Sequence, residues 1–164
     1  MSSINTHTFS VIVDNQSGVL SRVVGMFAAR GYNIESLTVA EVDEDKNLSR
    51  ITVMITGTAM VIEQIKAQLE RIVPVRKVVD LNKEGAFVNR ELVLVKVKAK
   101  GERRIESLRI ADIFRARVID SSNQSFVFEL TGTAEKLDAF IKLMNPLGLV
   151  EVSRTGAVAI LRGE

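Results

Sequence analysis

Two short polar stretches carry the residues best suited to small-molecule recognition. The first, Asp14-Asn15-Gln16-Ser17-Gly18-Val19-Leu20, follows an alternating apolar run and leads into a helical pattern. A glycine at a helix start lets backbone N–H groups approach an anion closely, and the helix dipole favours a carboxylate there. Asn15 supplies both a donor and an acceptor. On spacing alone the stretch reads first as punctuation, with Asn15 or Ser17 as a helix cap and Gly18 as a tight turn. The second stretch, Arg30-Gly31-Tyr32-Asn33-Ile34-Glu35, puts Gly31 where a left-handed helix terminus needs it and Asn33 at the entry to a strand. It too reads first as punctuation. In a βαββαβ fold the two turns are expected to converge, which raises the binding reading for both.

Little else in the chain could do chemistry. Among 164 residues there is no cysteine, so disulfides, thiolate nucleophiles, iron–sulfur clusters and Cys-ligated zinc are excluded. The single histidine, His7, reads as a solvated residue in a polar leader, Met1 to Thr8, which leaves no ordered catalytic triad and no two-histidine metal site. The acidic tip Asp43-Glu44-Asp45 lacks the glycine and terminal glutamate of a calcium loop and reads as a solvated hairpin end. No catalytic and no metal-binding residue is expected. Lys96, Lys98, Lys100, Arg103 and Arg104 form a basic cluster that reads as an exposed strand edge or a patch for an acidic partner, with phosphate contact a lesser reading.

Composition narrows the class further. Apolar residues make up 46% and charged residues 26%, the profile of a globular chain with a real core. Basic residues number 22 and acidic residues 20, a net charge of only +2. Up to Asp80 the chain carries 8 basic and 9 acidic residues, and beyond it 14 and 11. Neither part is the clustered stripe that nucleic acid requires. No apolar run approaches a membrane span, and the leader lacks signal-peptide character, so a cytoplasmic location is expected.

The elements that must position the two polar stretches form one plan used twice. Residues 8–13 alternate as a strand, 19–30 carry Leu20, Val23, Val24 and Phe27 at helical spacing, and 34–42 and 49–56 frame the 43–47 hairpin tip. Residues 59–72 carry Ile62, Ile65, Leu69 and Ile72 on one stripe, and 75–81 closes the unit as a strand. In the second half, strands are expected at 92–98, 118–120, 125–131 and 149–152, with a terminal strand at 157–161. Helices are expected at 102–114, on a stripe of Ile105, Leu108, Ile113 and Phe114, and at 135–144. Thr56-Gly57-Thr58-Ala59 recurs as Thr131-Gly132-Thr133-Ala134 at the same place in each half, and both prolines, Pro74 and Pro146, follow the second helix. The expected architecture is α+β: two ferredoxin-like βαββαβ domains, 1–81 and 91–164, joined by a linker at 82–90. RNA-binding domains share this order, but the third strand of the first copy, Ser49-Arg50-Ile51-Thr52-Val53-Met54, has no aromatic platform. The second copy has Phe126 and Phe128 without the glycine–aromatic signature.

Taken together, the run from Asp14 to Arg22, the run Arg30-Gly31-Tyr32-Asn33-Ile34-Glu35-Ser36-Leu37-Thr38-Val39 and Leu48-Ser49-Arg50 resemble the small regulatory subunit of acetolactate synthase (acetohydroxyacid synthase). Leu94-Val95-Lys96, Ile113-Phe114-Arg115, Lys136-Leu137-Asp138-Ala139-Phe140 and Arg154-Thr155-Gly156 extend the resemblance over essentially the whole chain. It implies an N-terminal ACT domain, a type of small-molecule sensor, and a C-terminal domain of similar fold that associates with the catalytic subunit or another copy. It further implies a homodimer in which two ACT domains form one eight-stranded sheet with valine bound between them. The matching positions are Asn15, Gln16, Ser17, Gly18, Val19 and Leu20 of one subunit facing Tyr32, Asn33 and Ile34 of the other. No catalytic site or cofactor is implied for this chain. Thiamine diphosphate, magnesium and FAD would belong to the large catalytic subunit, whose activity the small subunit raises and makes sensitive to valine. An ACT-type amino-acid-binding regulator of another metabolic enzyme is the alternative.

Overall fold

The computed structural model describes residues 3–163, and of the polar leader Met1 and Ser2 lie outside the described residues. Residues up to Val88 together with those from Ala157 onward make one compact unit, and Asn89–Gly156 makes the other.

The first unit begins with β1 (Asn5–Asp14), α1 (Val19–Ala29) and β2 (Ile34–Asp43). It continues with β3 (Leu48–Gly57), α2 (Ala59–Glu70), β4 (Val75–Asp80) and the single turn α3 (Leu81–Glu84). The strands form an antiparallel sheet in the order β2-β3-β1-β4. Period-two alternation sends Phe9, Val11 and Val13 of β1 and Ile51, Val53 and Ile55 of β3 to the helix-covered face, where all are buried. Val23 and Phe27 of α1 and Ile62, Ile65 and Leu69 of α2 close over them. Each such side chain contributes about 1.5–3 kcal/mol on burial.

The second unit repeats the plan with β5 (Phe87–Lys98), α4 (Glu102–Phe114), β6 (Arg117–Ser121), β7 (Ser125–Gly132), α5 (Ala134–Met144), a 3-10 turn at Asn145–Leu147 and β8 (Leu149–Arg154). Its sheet order, β6-β7-β5-β8, is the same permutation as in the first unit. The recurring Thr-Gly-Thr-Ala has one local cause. Thr58 and Thr133 are the N-caps of α2 and α5, and their hydroxyls accept from the amides of Val61 and Lys136 at 3.3 and 3.4 Å. The expected α+β architecture of two ferredoxin-like units is the observed one.

Three expectations change. His7 is not a tail residue: it lies within β1, and its Nδ1 is 2.8 Å from Oδ2 of Asp80, a carboxylate only 2% exposed. β1 starts earlier than the apolar alternation shows because it pairs with β3 as far back as Asn5, opposite Gly57. Next, α4 does not bury the expected stripe. Ser107, Ile110 and Ala111 face the core; of the expected stripe only Phe114 packs against it, while Ile105, Leu108 and Ile113 are exposed. Burial of Ser107 is tolerated because its hydroxyl donates to the carbonyl of Arg104 at 2.7 Å. Finally, the expected linker at 82–90 contains most of α3 and the start of β5, and β9 (Val158–Leu161) groups with the first unit. No helix among the described residues is long and apolar enough to cross a membrane.

Candidate functional site

The turn between β1 and α1 is held from below by three anchors. The Asp14 amide donates to the carbonyl of Pro74 at 2.9 Å, and the Asp14 carboxylate accepts from Arg76 Nε at 2.7 Å. That hydrogen bond and the carboxylate's charge, opposed by a small loss of hydration, hold the Arg76 guanidinium above its already high ordinary pKa. The Asn15 amide donates to the carbonyl of Asn47 at 2.8 Å, and Asn47 Nδ2 returns a bond to the carbonyl of Asn15 at 3.3 Å. Asn47 takes a left-handed conformation, φ 53°, to do this. The hairpin tip, read from sequence as merely solvated, is therefore a brace for this turn. An asparagine ending an acidic tip was the one available signal.

Gly18, not Asn15 or Ser17, is the N-cap of α1, with φ 84° and ψ −4° and no side-chain cap bond. The Asn15 amide group is committed elsewhere, donating to Oε2 of Glu41 at 3.2 Å. The first ladder bond of α1 runs from the Arg22 amide to the Gly18 carbonyl, so the Leu20 and Ser21 amides lie ahead of the ladder. A helix start with free amides and no acidic residue in its first turn is suited to receive an anion. Asn15, Gln16, Ser17, Gly18 and Leu20 are exposed, and Val19 is buried in the core.

At the other end of α1, Gly31 adopts φ 66° and builds a Schellman terminus. Its amide donates to Ala28 at 3.3 Å and the Tyr32 amide to Phe27 at 3.0 Å. The accompanying apolar contact is the edge-to-face pair of the Phe27 and Tyr32 rings, 6.4 Å apart. Tyr32 and Ile34 are half-buried, and Asn33 is exposed with Nδ2 donating to Oε1 of Glu35 at 3.0 Å.

The two stretches do not converge within one chain. Asp14, at the end of β1, pairs with Leu48, whereas Ile34, at the start of β2, pairs with Ile55 near the far end of the same β3. The turns cap opposite ends of α1, about 16 Å apart for eleven residues at 1.5 Å each. The reason is topological: β1 and β2 run parallel on either side of β3, and α1 must carry the chain back the length of the sheet between them. No group of three or more His, Cys, Asp or Glu residues capable of holding a metal ion occurs among the described residues.

Comparisons with known proteins cover the whole of this arrangement. Residues 9–77 match the family model described as the AHAS small subunit-like ACT domain, and residues 90–163 match that described as the small subunit of acetolactate synthase. The chain is 45% identical over 157 residues to a probable acetolactate synthase small subunit of Archaeoglobus fulgidus, covering 96% of this chain and 97% of that one. It is 48% identical over 156 residues to the acetolactate synthase small subunit of Haemophilus influenzae, covering 94% of each. The crystal structure of an acetolactate synthase small subunit from Thermotoga maritima matches with a TM-score of 0.87 and 39% identity, over 98% of this chain and 99% of that one.

Proposed function

The chain belongs to the acetolactate synthase small subunits, and on that premise we propose that it is a non-catalytic regulatory subunit that binds valine between the ACT domains of a homodimer. In this reading it raises the activity of the large catalytic subunit and confers feedback inhibition on branched-chain amino-acid synthesis. Thiamine diphosphate, magnesium and FAD serve the large subunit, and this chain holds none of them.

One observation carries the proposal. β2 is an edge strand, and the Gly18 and Asn33 turns cap opposite ends of the neighbouring α1. Antiparallel pairing of two β2 strands about a two-fold axis brings the Gly18 turn of one protomer to the Asn33 turn of its partner, twice over. The edge is ten residues long and carries Val39 and Val42 exposed, a surface that a lone chain normally protects. On α1, Leu20 and Val24 form a second apolar stripe, 40% and 39% exposed, apart from the residues that face the core. Two such stripes would pack together across the same axis.

In the completed site the valine carboxylate meets the amides ahead of the α1 ladder, its ammonium approaches Asn33 and Asn15, and its isopropyl group contacts Leu20 and Ile34. Burying that side chain contributes about 1.5–3 kcal/mol. The carboxylate at the helix start adds roughly 0.3–2 kcal/mol. Charge-assisted bonds to the ammonium add about 1.5–3 kcal/mol each, before binding costs are subtracted. The balance supports micromolar to millimolar affinity, which suits a feedback sensor. The second unit supplies the association surface for the catalytic subunit, supported by the apolar Ile105, Leu108 and Ile113 that α4 leaves exposed.

The test is calorimetric titration of the purified protein with valine, leucine, isoleucine and an unrelated amino acid. Saturable binding that prefers valine, at one ligand per chain or one per two chains, is the expected result. Heats indistinguishable from dilution for all four would overturn the sensor reading.

A further inference from the structure

The face of the first sheet turned away from α1 and α2 is not bare, and Leu81 of α3 lies against part of it. In register, Ile12 of β1 stands opposite both Arg50 of β3 and Lys77 of β4, and Ser10 stands opposite Thr52 and Val79. Thr52 in turn faces Thr38 of β2. One row across the sheet therefore reads Arg50, Ile12, Lys77, and the next reads Thr38, Thr52, Ser10, Val79. Ser10 and Thr52 are 8% and 3% exposed. Their cover is the end of the chain, within the same unit. The Ala157 amide donates to Ser36 Oγ at 2.8 Å, the Arg162 amide to the carbonyl of Ala86 at 2.9 Å, and Ala157 and Ala159 are buried.

Between this face and β9 lies a pocket of 220 Å³, with Ser10, Arg50 and Lys77 as its polar groups and Ile12, Val79 and Ala159 among its apolar ones. Among the described residues no carboxylate lines it. Among the described residues neither Arg50 nor Lys77 forms an ion pair, and Arg50 Nε is buried with no acceptor. On the adjoining row the Thr38 hydroxyl is also buried, with no partner among the described residues. Buried donors of this kind are rare because each has given up water for nothing, and a guanidinium N–H aligns best with a carboxylate oxygen.

We infer that this pocket is a binding site for a small aliphatic carboxylate, whose charged end is held by Arg50 and Lys77 and whose apolar body rests on Ile12 and Val79 beneath β9. The volume accommodates a short-chain acid. The site lies within one chain, on the sheet face opposite α1. It therefore needs neither the Gly18 turn nor a second protomer, and stands whether or not valine binds there.

The test follows the Arg50 Nε–H resonance of the full-length protein by nitrogen-15 NMR, assigned by its loss in Arg50→Gln. The probes are isobutyrate, inorganic phosphate, isobutylamine and, as the ionic-strength control, sodium chloride. Expected is a saturable shift of this resonance and of the Ala159 amide with isobutyrate, absent with isobutylamine and with chloride. The apparent Kd measured on the Ala159 amide should rise tenfold or more in Arg50→Gln. Lys77→Met, at an exposed position, should weaken binding at least threefold. Gly18→Asp should leave it unchanged. Shifts no larger than those from chloride, saturation by phosphate alone, or a Kd unaltered in Lys77→Met would each overturn the assignment.

Discussion

Gly18 and Asn33 stand at opposite ends of the eleven-residue helix α1, one opening it with φ 84° and the other following its Schellman terminus. A ligand of valine's size cannot touch both in one chain. Any site that uses both residues is shared between two protomers, and the free β2 edge supplies the geometry for sharing it.

Gly18→Asp tests the anion end of that site. A Cβ at Gly18 meets nothing within 4 Å, so the new side chain has room, and aspartate tolerates the left-handed conformation better than most residues. The variant should stay folded and still activate the catalytic subunit, with a stability loss near 1 kcal/mol. Its carboxylate occupies the place of the ligand's own, so inhibition by valine should vanish. An unchanged inhibition constant would refute the placement.

Sharing between protomers has a sharper signature. Gly18→Asp and Asn33→Ala should each abolish valine binding alone. Mixed and re-equilibrated at equal amounts, half the dimers contain one of each, and each of those has one intact site. About a quarter of the wild-type binding capacity should return, since a two-fold dimer presents two equivalent sites. Calorimetric stoichiometry reads this directly, and no recovery would refute a site shared between the Gly18 and Asn33 turns.

The His7–Asp80 pair anchors the first strand to the last of its sheet. Asp80 is almost wholly buried and also caps α3, accepting from the Asn82 amide at 3.1 Å. Asp80→Asn should lower unfolding free energy by about 1–3 kcal/mol, measured by denaturant titration. A change within the error of that titration would mean that the pair contributes no net stability.

Thr58→Ala and Thr133→Ala remove equivalent caps from two different units. Each should cost about 1 kcal/mol. Because they share no partner, the double variant should cost their sum within about 0.5 kcal/mol.

On α4, Ile105→Glu or Ile113→Glu adds charge to an exposed position and should leave the fold intact. If this face meets the catalytic subunit, activation should fall tenfold or more while valine binding to the isolated protein is unaltered. Full activation by both variants would exclude the face as that surface.

The repeated βαββαβ order, the helices that follow each Thr-Gly-Thr-Ala and the left-handed Gly31 are legible in the sequence because each depends on neighbours a few residues apart. The alternation of Phe9, Val11 and Val13, the spacing of Ile62, Ile65 and Leu69, and a threonine three residues ahead of the amide it caps are local patterns with local causes. The Asn15–Leu20 and Tyr32–Ile34 stretches stand out for the same reason, as glycine-bearing turns at the two ends of one helix.

What the tertiary structure decided depends on residues far apart in sequence. Which stripe of α4 faces inward is set by the strands it lands on, so Ser107, Ile110 and Ala111 prevail over the more apolar Ile105 and Ile113. His7 becomes half of a part-buried pair only because β4 delivers Asp80 across 73 positions. Arg50 and Lys77 read as ordinary surface cations until the register sets both against Ile12, beside a pocket that the end of the chain also lines. The separation of Gly18 from Asn33 belongs with these: spacing marks both turns, but only strand direction decides that a single chain cannot bring them together.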